Sequence, residues 1–171
     1  SPENLFDPQK GIYVSGNLYI NWKKNSKYSP SFSGVIRNFL GKGKKYEREA
    51  SITIFEKGKI ILEQNIGIRI KGSSTRYNQQ KGFNLYARKE YGKGKMKCPE
   101  LFPDNVDING KPIIKYDSIS LRGISDETRL RDQFSQSLIQ GRKMHILTKM
   151  RNSVLFLNGE FWGMYAITEK H

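Results

Sequence analysis

Two apolar runs that flank the dipeptide Asn158-Gly159 constrain the fold more than any other feature: Val154-Leu155-Phe156-Leu157 before it and Glu160 to Ile167 after it. Asn-Gly accepts positive φ at both central positions of a tight turn, so Ser153 to Ile167 reads as a β-hairpin. A second hairpin is predicted from Ile52-Thr53-Ile54-Phe55, the turn Glu56-Lys57-Gly58 and Lys59-Ile60-Ile61-Leu62. In the separate strand Gly67-Ile68-Arg69-Ile70-Lys71, the period of two sends Ile68 and Ile70 to the core and Arg69 and Lys71 outward. Gly82 to Arg88 alternates in the same way.

One stretch has helical spacing instead. Leu130, Phe134 and Leu138 form a stripe between the N-cap Asp126 and the stop Gly141, which predicts a helix over about 127–140. Upstream, Asp7-Pro8 and Ser15-Gly16-Asn17 are turn chemistry around Ile12-Tyr13-Val14, which has room for one short strand. Phe32, Val35, Ile36 and Phe39 predict a short helix ending at Gly41, and the Gly- and Pro-rich stretch Lys93 to Lys115 reads as loop. The sum is an α+β fold, a curled, mainly antiparallel sheet with one principal packed helix. Residues 1–50 are expected to be an irregular lead-in with a short helix, packed on a body formed by residues 51–171.

Charge bounds the partners. Thirty Lys and Arg against 16 acidic residues leave a formal charge of +14, which attracts anions whatever the fold. Nucleic acid, nucleotide phosphates, acidic protein and an anionic surface are the candidates, and a basic solvated exterior with no dedicated site fits the composition equally. Nine Tyr and nine Phe supply core material, which excludes wholesale disorder. The single cysteine, Cys98, has no intramolecular partner for a disulfide and no neighbouring metal-ligand pattern. His145 and His171, the only histidines, stand in neither a zinc motif nor a nucleophile elbow, which removes a catalytic triad and a zinc site. No apolar run reaches membrane-spanning length. Ser1 stands where an initiator Met would be expected, so the chain reads as processed or cut from a longer one.

Asn105, Asp107, Asn109 and Gly110 match the first positions of a calcium loop, but Tyr116 stands where its bidentate Glu belongs, so an ordinary Asn/Asp turn is expected. The loop between Lys71 and Gly82 is more suggestive. Gly72 allows a tight turn, Ser73, Ser74 and Thr75 offer N–H and hydroxyl donors, and Arg76 and Lys81 add charge, a set that suits a phosphate. A polar hairpin loop with solvated basic residues has the same composition, and no Walker A spacing is present.

Taken in order, several segments together resemble the CotH (spore coat protein H) kinase-like family. They are Phe6-Asp7 with Gly11 to Val14, Tyr46-Glu47-Arg48, Gly67 to Arg76, Gln80 to Phe83, Glu90-Tyr91-Gly92, Leu121-Arg122, Leu130-Arg131-Asp132, and Leu157 to Tyr165 through Glu169. The resemblance implies an atypical protein-kinase N-lobe with an irregular N-terminal extension, and ATP and Mg as cofactors of the complete domain. It assigns nucleotide binding to Gly72, Ser73, Ser74, Arg76 and Lys81, with Glu169 at the hinge edge and Asp132 as the partner of Lys81. It implies further that the metal-holding carboxylates and the catalytic acid come from a second lobe, so these 171 residues would bind nucleotide without transferring phosphate. A protein substrate would belong to the full-length protein, at a bacterial cell surface, in a secreted form or in the spore coat, and nucleic acid ranks below nucleotide as a partner. The alternative is a non-catalytic basic module that binds polyanions or protein partners.

Overall fold

The computed structural model of the chain describes residues 1–16, 37–123 and 148–170, together with Lys24, Phe134, Ser135 and Leu138. Among these, the main feature is a six-stranded antiparallel sheet. Its strands are β1 (Arg48–Glu56), β2 (Lys59–Lys71), β3 (Gly82–Tyr86), β6 (Ser118–Gly123), β7 (Met150–Leu157) and β8 (Glu160–Glu169), in the spatial order β1-β2-β3-β6-β8-β7. A small ladder of β4 (Met96–Lys97) and β5 (Lys115–Tyr116) stands beside it.

Register assigns the two faces. On one face Ile68, Leu85 and Ile119 lie side by side, as do Ile70, Phe83, Leu121 and Ile167, and all are buried. The other face carries Arg69, Asn84, Ser120 and Thr168 in one row, and Lys71 opposite Gly82 in the next. The apolar face is covered by the lead-in, through Leu5 and Ile12, and by Met96, Cys98, Leu101, Phe102 and Tyr116 from the segment between β3 and β6. Phe6, Tyr13, Phe83, Trp162 and Tyr165 continue this cover as a chain of ring contacts.

The sheet curls until its edges approach one another. Arg151 on β7 donates to both carboxylate oxygens of Glu56 on β1, at 2.8 and 3.2 Å, and to the carbonyls of Glu100 and Leu101. Both edge strands line one apolar cleft through Ile52, Ile54 and Leu155.

Both predicted hairpins are present, with Asn158 at φ 53° and Gly159 at φ 86° in the second turn. Four features depart from the sequence reading. The strand expected from Gly67 and the arm from Lys59 are one 13-residue strand, in which Asn65 and Gly67 stay extended because the β1 ladder pairs them with Ser51 and Glu49. The third strand ends at Tyr86, where Arg88 turns to pair with Glu47. Ile12-Tyr13-Val14 is bent chain held by Ile12 and Tyr13 N–H bonds to the carbonyls of Asn4 and Leu5, and a five-residue helix, α1 (Pro2–Phe6), precedes it. The stretch read as loop between Lys93 and Lys115 contributes the small ladder and a share of the core.

Of the short helix expected before Gly41, residues 32–36 lie outside the described set and Asn38–Leu40 form a single 3-10 turn. Most of the helix expected over 127–140, with Asp126, Leu130 and Asp132, also lies outside it. Phe134, Ser135 and Leu138 are helical, but Phe134 and Leu138 are 62% and 60% exposed, so the predicted stripe does not bury these two side chains.

Candidate functional site

The loop that joins β2 to β3 begins at Gly72, whose φ of +107° a side chain would strain, and a Cβ there would collide with the Thr75 hydroxyl. Ser74–Tyr77 form one 3-10 turn, with Ser73, Ser74 and Thr75 exposed. Arg76 is buried. Its Nε donates to the carbonyl of Gly72 at 2.6 Å, one terminal nitrogen to Phe39 and Gly41 at 2.9 and 2.8 Å, and the other to Ile70 at 2.7 Å. Four of the five N–H groups of a guanidinium are thereby used on backbone carbonyls. Arg76 is a clip joining the strand end, the loop and the 38–41 turn.

Lys81 is also withdrawn, at 6% exposure. Its ammonium donates to the Asn78 carbonyl at 2.7 Å and lies 4.4 Å from the Phe39 ring centre and 5.2 Å from that of Tyr13. Burial pushes its pKa down. Its backbone is held as well: Lys81 N–H donates to the Tyr13 hydroxyl at 3.1 Å, and the Tyr165 hydroxyl donates to the Lys81 carbonyl at 2.9 Å. Tyr13 donates in turn to the Gln79 carbonyl and accepts from the Trp162 indole, while Gln80 reaches the Met164 carbonyl. Much of the Phe6, Gly11–Val14 and Phe161–Tyr165 text thus acts as a fastener for this loop.

The remaining candidates do not converge on Lys81. Asp132 lies outside the described residues. Glu169 stands on the apolar face in register with Ile119, where its carboxylate accepts from the Asn105 amide at 3.0 Å. Asp107 takes the N–H groups of Asn109 and Lys111, which is the Asn/Asp turn expected there.

The polar face holds a denser constellation. Glu47, fully withdrawn from solvent, accepts from Arg88 at 2.5 and 3.0 Å and from Arg69 at 2.7 Å. Burial alone would raise its pKa, but the bonds from Arg88 and Arg69 outweigh that and hold it below the usual 4.5. Both guanidinia and the Lys170 ammonium lie on the Tyr86 ring, at 4.4, 5.0 and 5.1 Å from its centre. Beside them Lys71 is half-buried, and its pKa is driven down by burial first and then by the charges of Arg122 and Lys170. Alternation places Lys71 on this face, but nothing in the sequence shows that Arg122 and Lys170, 51 and 99 positions away, stand near it. Among the described residues, no three of His, Cys, Asp and Glu are grouped to hold a metal ion, and no helix is long and apolar enough to cross a membrane.

No curated protein matches this chain. The family described as CotH kinase protein matches residues 68–171, from the middle of β2 through the loop, the central strands and the closing hairpin, and the chain belongs to that family.

Proposed function

We propose that this chain is the nucleotide-holding part of an atypical CotH-type kinase, equivalent to a kinase N-lobe, with ATP as its ligand. The observation that carries the reading is the family match over 68–171, because that span holds the braced β2–β3 loop and the cationic face beside it. Phosphates fit such a surface: exposed Ser73, Ser74 and Thr75 offer donors at the strand end, and lysines at the same end supply charge.

Magnesium belongs to the family's chemistry, and the described residues supply no carboxylate cluster to hold it. No transfer step is therefore assigned to them. On this reading the 171 residues bind ATP and transfer nothing alone, and a protein acceptor at a spore coat or cell surface belongs to the complete protein. In a thermal denaturation titration, ATP should raise the midpoint in proportion to the logarithm of its concentration above Kd. An unmoved midpoint at millimolar ATP refutes binding, and phosphate transfer from ATP by the purified chain refutes the division of labour.

A further inference from the structure

We propose that the cleft between β1 and β7 receives an extended strand of a partner protein, uncharged and apolar at alternate positions, which adds to the sheet along its β1 edge. The inference does not rest on the nucleotide reading above.

β1 and β7 end the sheet, and among the described residues neither pairs with a strand other than β2 and β8 respectively. Two hydrogen bonds show which of their backbone groups face the cleft. The Asn4 amide donates to the Glu49 carbonyl at 2.8 Å, so Glu49 turns its backbone away from β2, and the alternation of an antiparallel ladder turns Ser51 and Thr53 the same way. The Glu169 N–H donates to the Lys149 carbonyl at 3.2 Å, which makes Arg151, Ser153 and Leu155 the residues bonded to β8 and directs Val154 away from it. Thr53 and Val154 line the cleft, whose volume is about 550 Å³, and Ser51 lines a second cavity that shares Ile52 and Leu155 with it.

Outward backbone groups on two facing strand edges are matched by a third extended backbone, because a helix has already spent its own donors and acceptors. Ser51 to Glu56 covers about 20 Å at about 3.3 Å per residue, the length of an ordinary strand. Core-facing Ile52, Ile54 and Leu155 are only partly buried, so alternate side chains of an added strand would complete their cover. Charge sets the character of that strand. The chain carries +14, yet among the described residues lining the cleft only Glu56 and Arg151 are charged, and they neutralise each other. Phe55, Val154 and Phe156, at the same cleft, are each more than half exposed. An uncharged apolar strand fits these walls and a polyanion does not.

The test is calorimetric titration of the folded 171-residue chain with a capped peptide of alternating threonine and valine, six residues long. The peptide should bind and its fully N-methylated analogue should not, because strand addition is held by backbone hydrogen bonds. Thr53→Pro removes an outward N–H that β2 does not use, so it should weaken binding about tenfold, as the loss of one hydrogen bond implies, and move the melting temperature little. Thr53→Val, which keeps that N–H, should leave the affinity unchanged. If Thr53→Pro does not fold, Ile54→Thr decides instead: it keeps the branched shape, places a hydroxyl in the cleft and should weaken the peptide to a similar degree. No binding at millimolar peptide overturns the proposal, and so does equal affinity for the N-methylated analogue, which would mean apolar adhesion without strand pairing. Hydrogen exchange of the free chain gives a further outcome. Protected amides at Ser51 and Thr53 would mean that the chain covers its own edge, and the proposal would fall.

Discussion

Removing the Glu47 charge tests the energetics of the lead-in most directly. Glu47→Gln preserves size and leaves two guanidinia facing a neutral amide. Breaking a buried ion pair by deleting one partner costs about 3–5 kcal/mol. The lower end applies, because the Arg69 and Arg88 side chains keep 19% and 32% of their exposure and both retain the Tyr86 face. We expect a loss of about 3 kcal/mol, or roughly 6–12 °C in melting temperature for a chain of this length. Urea denaturation followed by circular dichroism measures it.

A double-mutant cycle sharpens the same test. A Cβ on Gly67 would stand 2.5 Å from Glu47 Oε1, with Cδ and Cγ of the same side chain next nearest, and Gly67 is absent from the glycines with positive φ, so Gly67→Ala destabilises chiefly through Glu47. In a Glu47→Ala background the clash disappears, and the alanine should cost nothing or add a few tenths of a kcal/mol, as Gly→Ala does at tolerant sites, to about that order. The pH profile has a definite sign. Because the folded pKa lies below 4.5, the contribution is complete above that value and is lost as pH falls through the folded value, so wild type should lose more stability in acid than Glu47→Gln. A loss under about 1 kcal/mol, the range of an exposed pair, or strict additivity in the cycle, would refute a buried network.

Arg76→Lys should cost about 2–3 kcal/mol in urea denaturation, since one ammonium cannot serve carbonyls on three segments and hydrogen bonds to charged groups carry that order of energy. A cost near zero would show that the clip is not formed. Tyr165→Phe removes the donor to the buried Lys81 carbonyl and should lower stability by about 1–2 kcal/mol. Cys98 is buried, and burial pushes its thiol pKa up, so a thiol reagent should label it in denaturant and not in the native chain; equal rates would place it at the surface.

The alternating segments made most of the sheet legible, because register on a half-buried sheet is enforced by the cost of a one-residue slip. β6 escaped notice although Ser118-Ile119-Ser120-Leu121-Arg122 alternates, since it is short, follows a stretch rich in turn residues, and has no hairpin signal at either end. It is nevertheless central, joining β3 to β8. The loop Gly72 to Arg76 was legible as special, and its residue types could not say for what purpose. An arginine facing a phosphate and one facing four carbonyls look identical in sequence, and the acceptors at Phe39 and Gly41 lie more than 30 positions away. The neighbours of Lys71 were hidden for the same reason.

The fasteners and the cation cluster meet at one point, because Lys71 ends β2 and Gly72 begins the loop that Arg76, Tyr13 and Tyr165 hold. Arg76 takes the carbonyl of Ile70, the residue before Lys71, so the position of the strand end depends on a side chain that reaches the other side of the loop. Arg76→Lys should therefore loosen the strand end as well as the loop, and hydrogen exchange of the amides from Ile70 to Gly72 should quicken, while unchanged exchange there would mean that the strand end is held without Arg76.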